Sequence, residues 1–145
     1  MNYLFDTNIL SEFQKNRRDQ NVIQWVKQVE SERIFISVLS LGEIRRGVEI
    51  KRKSDPDRAA RYEEWLLELE SRYANRILDF TRDAAHKWGQ LTARHLKNHH
   101  MIDLQLAAQA LVNDCILVTR NVKDFKELQI KLINPFEPSS YVQYR

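Results

Sequence analysis

Four acidic residues stand where chemistry could be done. Asp6 directly follows a short β-prone run, Asn2 to Phe5. Glu43 comes three residues after Ser40, and Asp103 stands just ahead of an apolar helical face. Asp124 lies beyond Ile116-Leu117-Val118, in the segment Thr119-Arg120-Asn121-Val122-Lys123-Asp124-Phe125. Singly, each has an ordinary structural use. Asp6 suits an Asx-turn or helix cap, Ser40-Leu41-Gly42-Glu43 reads as a capping box, and Asp103 and Asp124 suit N-caps. In a parallel sheet, however, strand carboxyl ends and the following helix starts share one edge, where such folds bind ligands. Acids brought together there repel, and must take up protons or a cation. An all-oxygen donor set selects Mg²⁺ or Mn²⁺, with waters completing the shell. A site of that kind acidifies bound water and offsets charge on a phosphate, so the chemistry indicated is phosphodiester hydrolysis.

Competing sites are weaker. His95 and His99, four apart with His100 following, have zinc-like spacing on a helix, but no HExxH pattern accompanies them, and a solvated face is the better reading. Cys115 opens an apolar run and reads as a small buried hydrophobe. Gly42, Gly47 and Gly89 fit neither GxGxxG nor GxxxxGKS, which disfavours nucleotide-dependent functions.

The elements that must position the acids follow from periodicity. Asn2 to Phe5, Arg33 to Ile36, Ile77-Leu78, Ile116 to Val118 and Lys131 to Ile133 read as short strands, the last stopped by Asn134-Pro135. Ile9, Leu10 and Phe13 suggest a short helix. Val22, Trp25, Val26 and Val29 recur at i, i+3, i+4 and i+7, as one helical stripe. A helix from Ser40 fades near Lys51-Arg52-Lys53, and Ser54-Asp55-Pro56 is both a stop and a new start. Tyr62, Trp65, Leu66, Leu69 and Tyr73 continue it, so residues 40–74 form a helical hairpin. Helices through Ala84 to His95 and from Asp103 to Val112 complete the set. Strands alternating with helices predict an α/β domain with a parallel sheet covered on both faces.

Composition bounds the rest. The chain has 145 residues, 43% of them hydrophobic, with 3 Gly and 3 Pro, which predicts one globular domain over residues 1–145 and no disordered or collagenous protein. The longest apolar runs, such as Cys115 to Val118, are four residues, so no segment reads as spanning a membrane. Met1 to Asp6 has no secretory pattern, and a lone cysteine suits a reducing cytoplasm. Lys and Arg number 23 against 20 Asp and Glu, for +3. Much of that positive charge falls in Arg45, Arg46, Lys51, Arg52, Lys53, Arg58 and Arg61, which forms either a solvated helical face or a rim for a nucleic-acid backbone.

Four segments now carry a resemblance: Leu4-Phe5-Asp6-Thr7-Asn8; Ile36-Ser37 followed by Ser40-Leu41-Gly42-Glu43-Ile44-Arg45-Arg46-Gly47; Asp103-Leu104-Gln105-Leu106-Ala107-Ala108-Gln109-Ala110; and Thr119-Arg120-Asn121 with Asp124-Phe125. In this order, over about residues 2–134, the chain resembles the PIN domain, and within it the VapC/FitB type of toxin ribonuclease from toxin–antitoxin pairs. The resemblance implies a three-layer α/β/α domain with a short central parallel sheet and Mg²⁺-dependent endoribonuclease activity. It implies that Asp6, Glu43 and Asp103 hold the metal and activate water, oriented by Thr7, Asn8, Ser37 and Thr119. Some members carry a fourth acid where this chain has the neutral Asn121; Asp124, a water or Asn121 itself then completes the site. A homodimer, with the 40–74 hairpin as its contact surface, and a cognate antitoxin that blocks the cleft are further implications. For the hairpin's Tyr62, Trp65 and Tyr73, membership of the core is the alternative. A nuclease acting on DNA, or a non-catalytic nucleic-acid-binding module, is the competing function; a lapsed site would have lost one of the three central acids, and none is lost.

Overall fold

The computed structural model describes residues 1–95 and 101–138. In chain order the elements are β1 (Asn2–Phe5), α1 (Thr7–Glu12), α2 (Gln20–Lys27), β2 (Ile34–Ser37), α3 (Val38–Ser54), α4 (Pro56–Arg72), β3 (Ile77–Leu78), α5 (Arg82–Arg94), α6 (Met101–Val112), β4 (Cys115–Val118), α7 (Val122–Phe125) and β5 (Leu132–Ile133). The five strands form one all-parallel sheet in the order β3-β2-β1-β4-β5. This is the expected α/β architecture. His99 and His100 lie outside the described residues.

Alternation along each strand feeds two cores, one per face of the sheet. Leu4 and Leu117 point into a cluster with Leu104, Ala107, Ala108 and Leu91, which is the α5–α6 layer. Their neighbours Phe5 and Val118 point the other way, to Ile9, Trp25, Ile44 and Leu66 from α1 to α4. Three layers result, with helices on both faces. Small residues let α6 approach closely: Ala107, Ala108 and Ala110 are all buried. Cys115 is buried at the start of β4, and burial, helped by Asp114, pushes its thiol up to about 11. Among the described residues no helix is long and apolar enough to cross a membrane.

Two expected starts are displaced. The capping box at Ser40–Glu43 does not form. Ser37, the last residue of β2, caps α3 by accepting from the Leu39 N–H at 3.0 Å, which leaves Ser40 and Glu43 inside the helix. Asp103 likewise sits within the first turn of α6, not ahead of it. The break at Ser54-Asp55-Pro56 is as expected, with Pro56 opening α4 and the Asp55 carboxylate accepting from the Arg58 N–H. The α3–α4 hairpin is tied by Glu63, which pairs with both Arg45 and Arg52 of α3. Trp65 is buried and Tyr62 and Tyr73 are half-buried against the α1–α4 core, so these aromatics are core-packed within the chain.

Gln109 is the polar joint between α6 and the sheet edge. It is fully buried, accepts from the Ser37 hydroxyl at 2.5 Å, and donates to the carbonyls of Leu78 and Asp79 at 3.1 and 3.2 Å. Removing it strands a hydroxyl and two carbonyls away from water. We expect Gln109→Ala to cost about 2–4 kcal/mol, from roughly 1–3 kcal/mol for each stranded group with partial relaxation. The check is the denaturant midpoint at unchanged m-value; a shift no larger than that of a surface Gln→Ala would refute the joint.

Candidate active site

Strand register puts a row of polar residues at the carboxyl edge of the sheet. Leu4 pairs with Phe35, Phe5 with Val118, and Val118 with Ile133, so the next residues along, Ser37, Asp6, Thr119 and Asn134, lie side by side. They are 0%, 7%, 0% and 5% exposed. The chain runs outward from β1 through β2 to β3, then crosses back to place β4 on the other side of β1. Asp6 and Thr119 therefore stand at the topological switch point.

A buried carboxylate must be hydrogen-bonded to be tolerated. Asp6 Oδ1 accepts from the Thr7 N–H at 2.7 Å, the expected cap of α1. Its Oδ2 accepts from the Thr119 hydroxyl at 2.9 Å and from Asn8 Nδ2 at 3.3 Å. Glu43 is held from α1. The Thr7 hydroxyl lies 2.7 Å from Glu43 Oε1 and 2.9 Å from Ser40 Oγ. With one proton to give, Thr7 donates to the carboxylate and accepts from Ser40. Asp6, Glu43 and Asp103 face one open cleft of about 430 Å³, with Asn121, Lys15 and Arg120 also on its walls.

Burial pushes the Asp6 carboxyl up to about 6, against the lowering pull of the Thr119 and Thr7 hydrogen bonds, and the charges of Glu43 and Asp103 push it further. This is chiefly the cost of holding a carboxylate away from water, with like-charge repulsion adding to it. Oxygen donors alone line the acidic wall, which suits a hard divalent cation. Among the described residues no three acidic, imidazole or thiol side chains gather closely enough to hold an ion by themselves.

The sequence-derived acids do not all meet. Asp6, Glu43 and Asp103 share the cleft. Asp124 instead lines an adjoining recess with Lys123 and Asn134, while Asn121 borders both spaces. Thr7, Asn8 and Thr119 orient carboxylates as the resemblance implies, whereas Ser37 serves the α3 cap and Gln109. Residues not singled out also line the cleft: Ser11, Glu12 and Lys15. Glu12 is buried; burial raises its pKa, but the hydrogen bonds from Lys15 and the Asp19 N–H, and the charges of Lys15 and Arg120, hold it below the usual carboxylate range. Asn8, Ser11, Glu12 and Lys15 recur at i, i+3, i+4 and i+7, a polar stripe that would have revealed this wall.

The raised pKa of Asp6 has a measurable consequence. In the folded chain Asp6 keeps its proton up to about pH 6, whereas the ordinary value is 3.8. Without divalent cations the fold therefore binds the extra proton between those limits, and loses stability as pH rises through them. The loss amounts to about 3 kcal/mol above pH 6. In EDTA, wild type should lose that much more stability than Asp6→Asn between pH 4 and pH 7. Mg²⁺ or Mn²⁺ at pH 7 should restore it in wild type alone, by binding only the folded state. Parallel pH profiles for the two proteins would exclude a strained Asp6.

Comparison with known proteins gives the family of the chain. The family model for the PIN domain matches residues 3–131. The VapC ribonuclease Y4jK of Sinorhizobium fredii is 27% identical over 139 residues, covering 94% of this chain and 99% of its own length. Toxin FitB of Neisseria gonorrhoeae is 26% identical over 138 residues, 92% of this chain and 97% of its own. In fold, the chain is similar to the crystal structure of FitAcB from Neisseria gonorrhoeae, with a TM-score of 0.83, 24% identity, and coverage of 93% and 99%. A parallel sheet with acids gathered at its switch point, matched across most of its length, places this chain in the PIN-domain family.

Proposed function

We propose that the protein is a Mg²⁺-dependent endoribonuclease, with Mn²⁺ able to substitute, acting as the toxin of a toxin–antitoxin pair. The observation that carries the reading is the buried Asp6 at the switch point, its carboxyl raised to about 6 and facing Glu43 and Asp103 across one cleft. The similarity to a VapC ribonuclease and to toxin FitB supports RNA as substrate and growth inhibition as role. A cognate antitoxin that covers the cleft, as the VapC/FitB resemblance implies, completes the assignment.

Asp6, Glu43 and Asp103 would hold the cation. When bound, it supplies an acidified water and offsets charge on the scissile phosphate. Thr119 and Thr7 fix the Asp6 and Glu43 carboxylates, so the chain need not reorganise as substrate arrives. Arg120 brings positive charge to the mouth of an otherwise acidic cleft and draws in the phosphate backbone, while Lys15 on the same wall pairs with Glu12 at 2.9 Å. Asp124, in the adjoining recess, is the remaining acid of the proposal.

The test is cleavage of single-stranded and structured RNAs, with single-stranded DNA alongside, by purified protein freed of any antitoxin. Cleavage should require the divalent cation and vanish in EDTA, in Asp6→Asn and in Asp103→Asn. Thr7→Val should lose about 10- to 100-fold, the usual cost of removing a group that orients a metal ligand. Asp124→Asn falling as far as Asp103→Asn would place Asp124 at the ion. Cleavage by Asp103→Asn at the wild-type rate, or of DNA alone, would overturn the proposal.

A homodimer through the α3–α4 hairpin belongs to the same reading. Ile50 of α3 and Leu67 of α4 are 53% and 55% exposed, apolar surface that a contact through the hairpin would cover. Light scattering should give twice the 17.3 kDa chain mass, and Ile50→Glu with Leu67→Glu should give the single-chain mass. A monomeric wild type would remove the dimer from the proposal.

A further inference from the structure

Arg120 is the first residue beyond the polar row where β4 leaves the sheet, and its backbone is pinned from two sides. Its N–H donates to Asn8 Oδ1 at 3.2 Å, and its carbonyl accepts from Asn134 Nδ2 at 3.4 Å. The side chain is exposed, and its guanidinium carbon lies 4.5 Å from the centre of the Phe136 ring. Phe136 is fixed in turn. Its N–H donates to Asn134 Oδ1 at 3.0 Å, its carbonyl accepts from Asn21 Nδ2 at 3.0 Å, and its ring packs on the α1–α4 core. Arg45 and Arg52 are taken up by Glu63. Arg120, in contrast, stands on the ridge between the acidic cleft and the adjoining recess of about 250 Å³.

A cation that only neutralises phosphate needs no aromatic beneath it. Backed by a ring, a guanidinium loses freedom and offers its other face as a flat, positively charged plane, which a lysine ammonium cannot do. Such planes stack nucleobases whatever their sequence. Bases in a duplex have no free face, so the ligand is single-stranded. We propose that Arg120 and Phe136 form a stacking ledge for the base next to the phosphate held at the acidic cleft, in single-stranded RNA. The place of that phosphate rests on the nuclease reading above, whereas base stacking is measured without cleavage. Asn121, which borders both spaces, offers its amide to the base edge, and Lys123 in the recess meets the next phosphate.

The test uses the full chain in EDTA and two labelled probes: a short single-stranded RNA of mixed sequence, and an oligomer of equal length lacking bases. Arg120→Lys keeps the charge and removes the plane. It should weaken RNA binding about tenfold, in line with the loss of one stacked base, and leave the base-free probe unchanged. Phe136→Leu should act in the same direction, and Lys123→Ala should weaken both probes alike. Wild-type affinity for RNA in Arg120→Lys, or equal losses on both probes, would overturn the ledge. Cleavage in Mg²⁺ by the same proteins separates the two proposals. A wild type that discriminates the probes but cuts no RNA keeps the ledge and loses the nuclease. A wild type that cuts RNA, with KM unchanged in Arg120→Lys, does the reverse.

Discussion

A carboxylate buried at the end of the central strand is the constraint to which the rest of the molecule answers. Asp6 is charged in water and nearly enclosed here, so the fold must supply donors from outside its own turn. The N–H of Thr7 is local, but the second oxygen depends on Thr119, which is 113 positions away. That bond exists only if β4 lies beside β1 in the observed register. The return of the chain across the sheet, which makes β1 central, is what brings a donor to Asp6. The two hydrogen bonds do not offset the cost of burial, and Glu43 and Asp103 add charge of the same sign. The edge of the sheet is thus built tightly enough to hold one acid while the cleft beside it stays open.

Much of this was legible in the residues. The stripe of Val22, Trp25, Val26 and Val29, the β-branched run at Ile34 to Ile36 and the apolar block ending at Val118 each admit one local structure. Alternating strands and helices leave little choice of sheet. What could not be read locally was which of two equivalent groups a tertiary partner would claim. Ser37 and Ser40 are both acceptable caps. Ser37 takes the role with its proton sent to Gln109, and Ser40 is left to support Thr7. Glu43 answers to Thr7, 36 residues earlier, rather than to its own helix. Pairings at such separations leave no trace in periodicity.

The basic residues teach the same lesson. Arg45 and Arg52 sit in the most conspicuous positive run, yet both turn to Glu63 and brace the hairpin. The cations at the cleft, Lys15 and Arg120, are scattered singles. One is found through the polar stripe that begins on α1 and runs into the turn after it, the other only because Phe136 folds back beneath it. Charge density along a chain reports how many cations there are, and the fold decides which of them face a ligand.

The order of the strands also sets when this cleft comes into being. A ribosome delivers β1 first and β4 more than a hundred residues later, so the emerging chain carries Asp6 for most of its synthesis without Thr119 beside it. Asp103 arrives late as well. Until the last third of the polypeptide has emerged and crossed back over β1, the acids have no common wall. A chain broken off before β4 consequently has no such cleft. The finished cleft exists only once β4 has paired with β1.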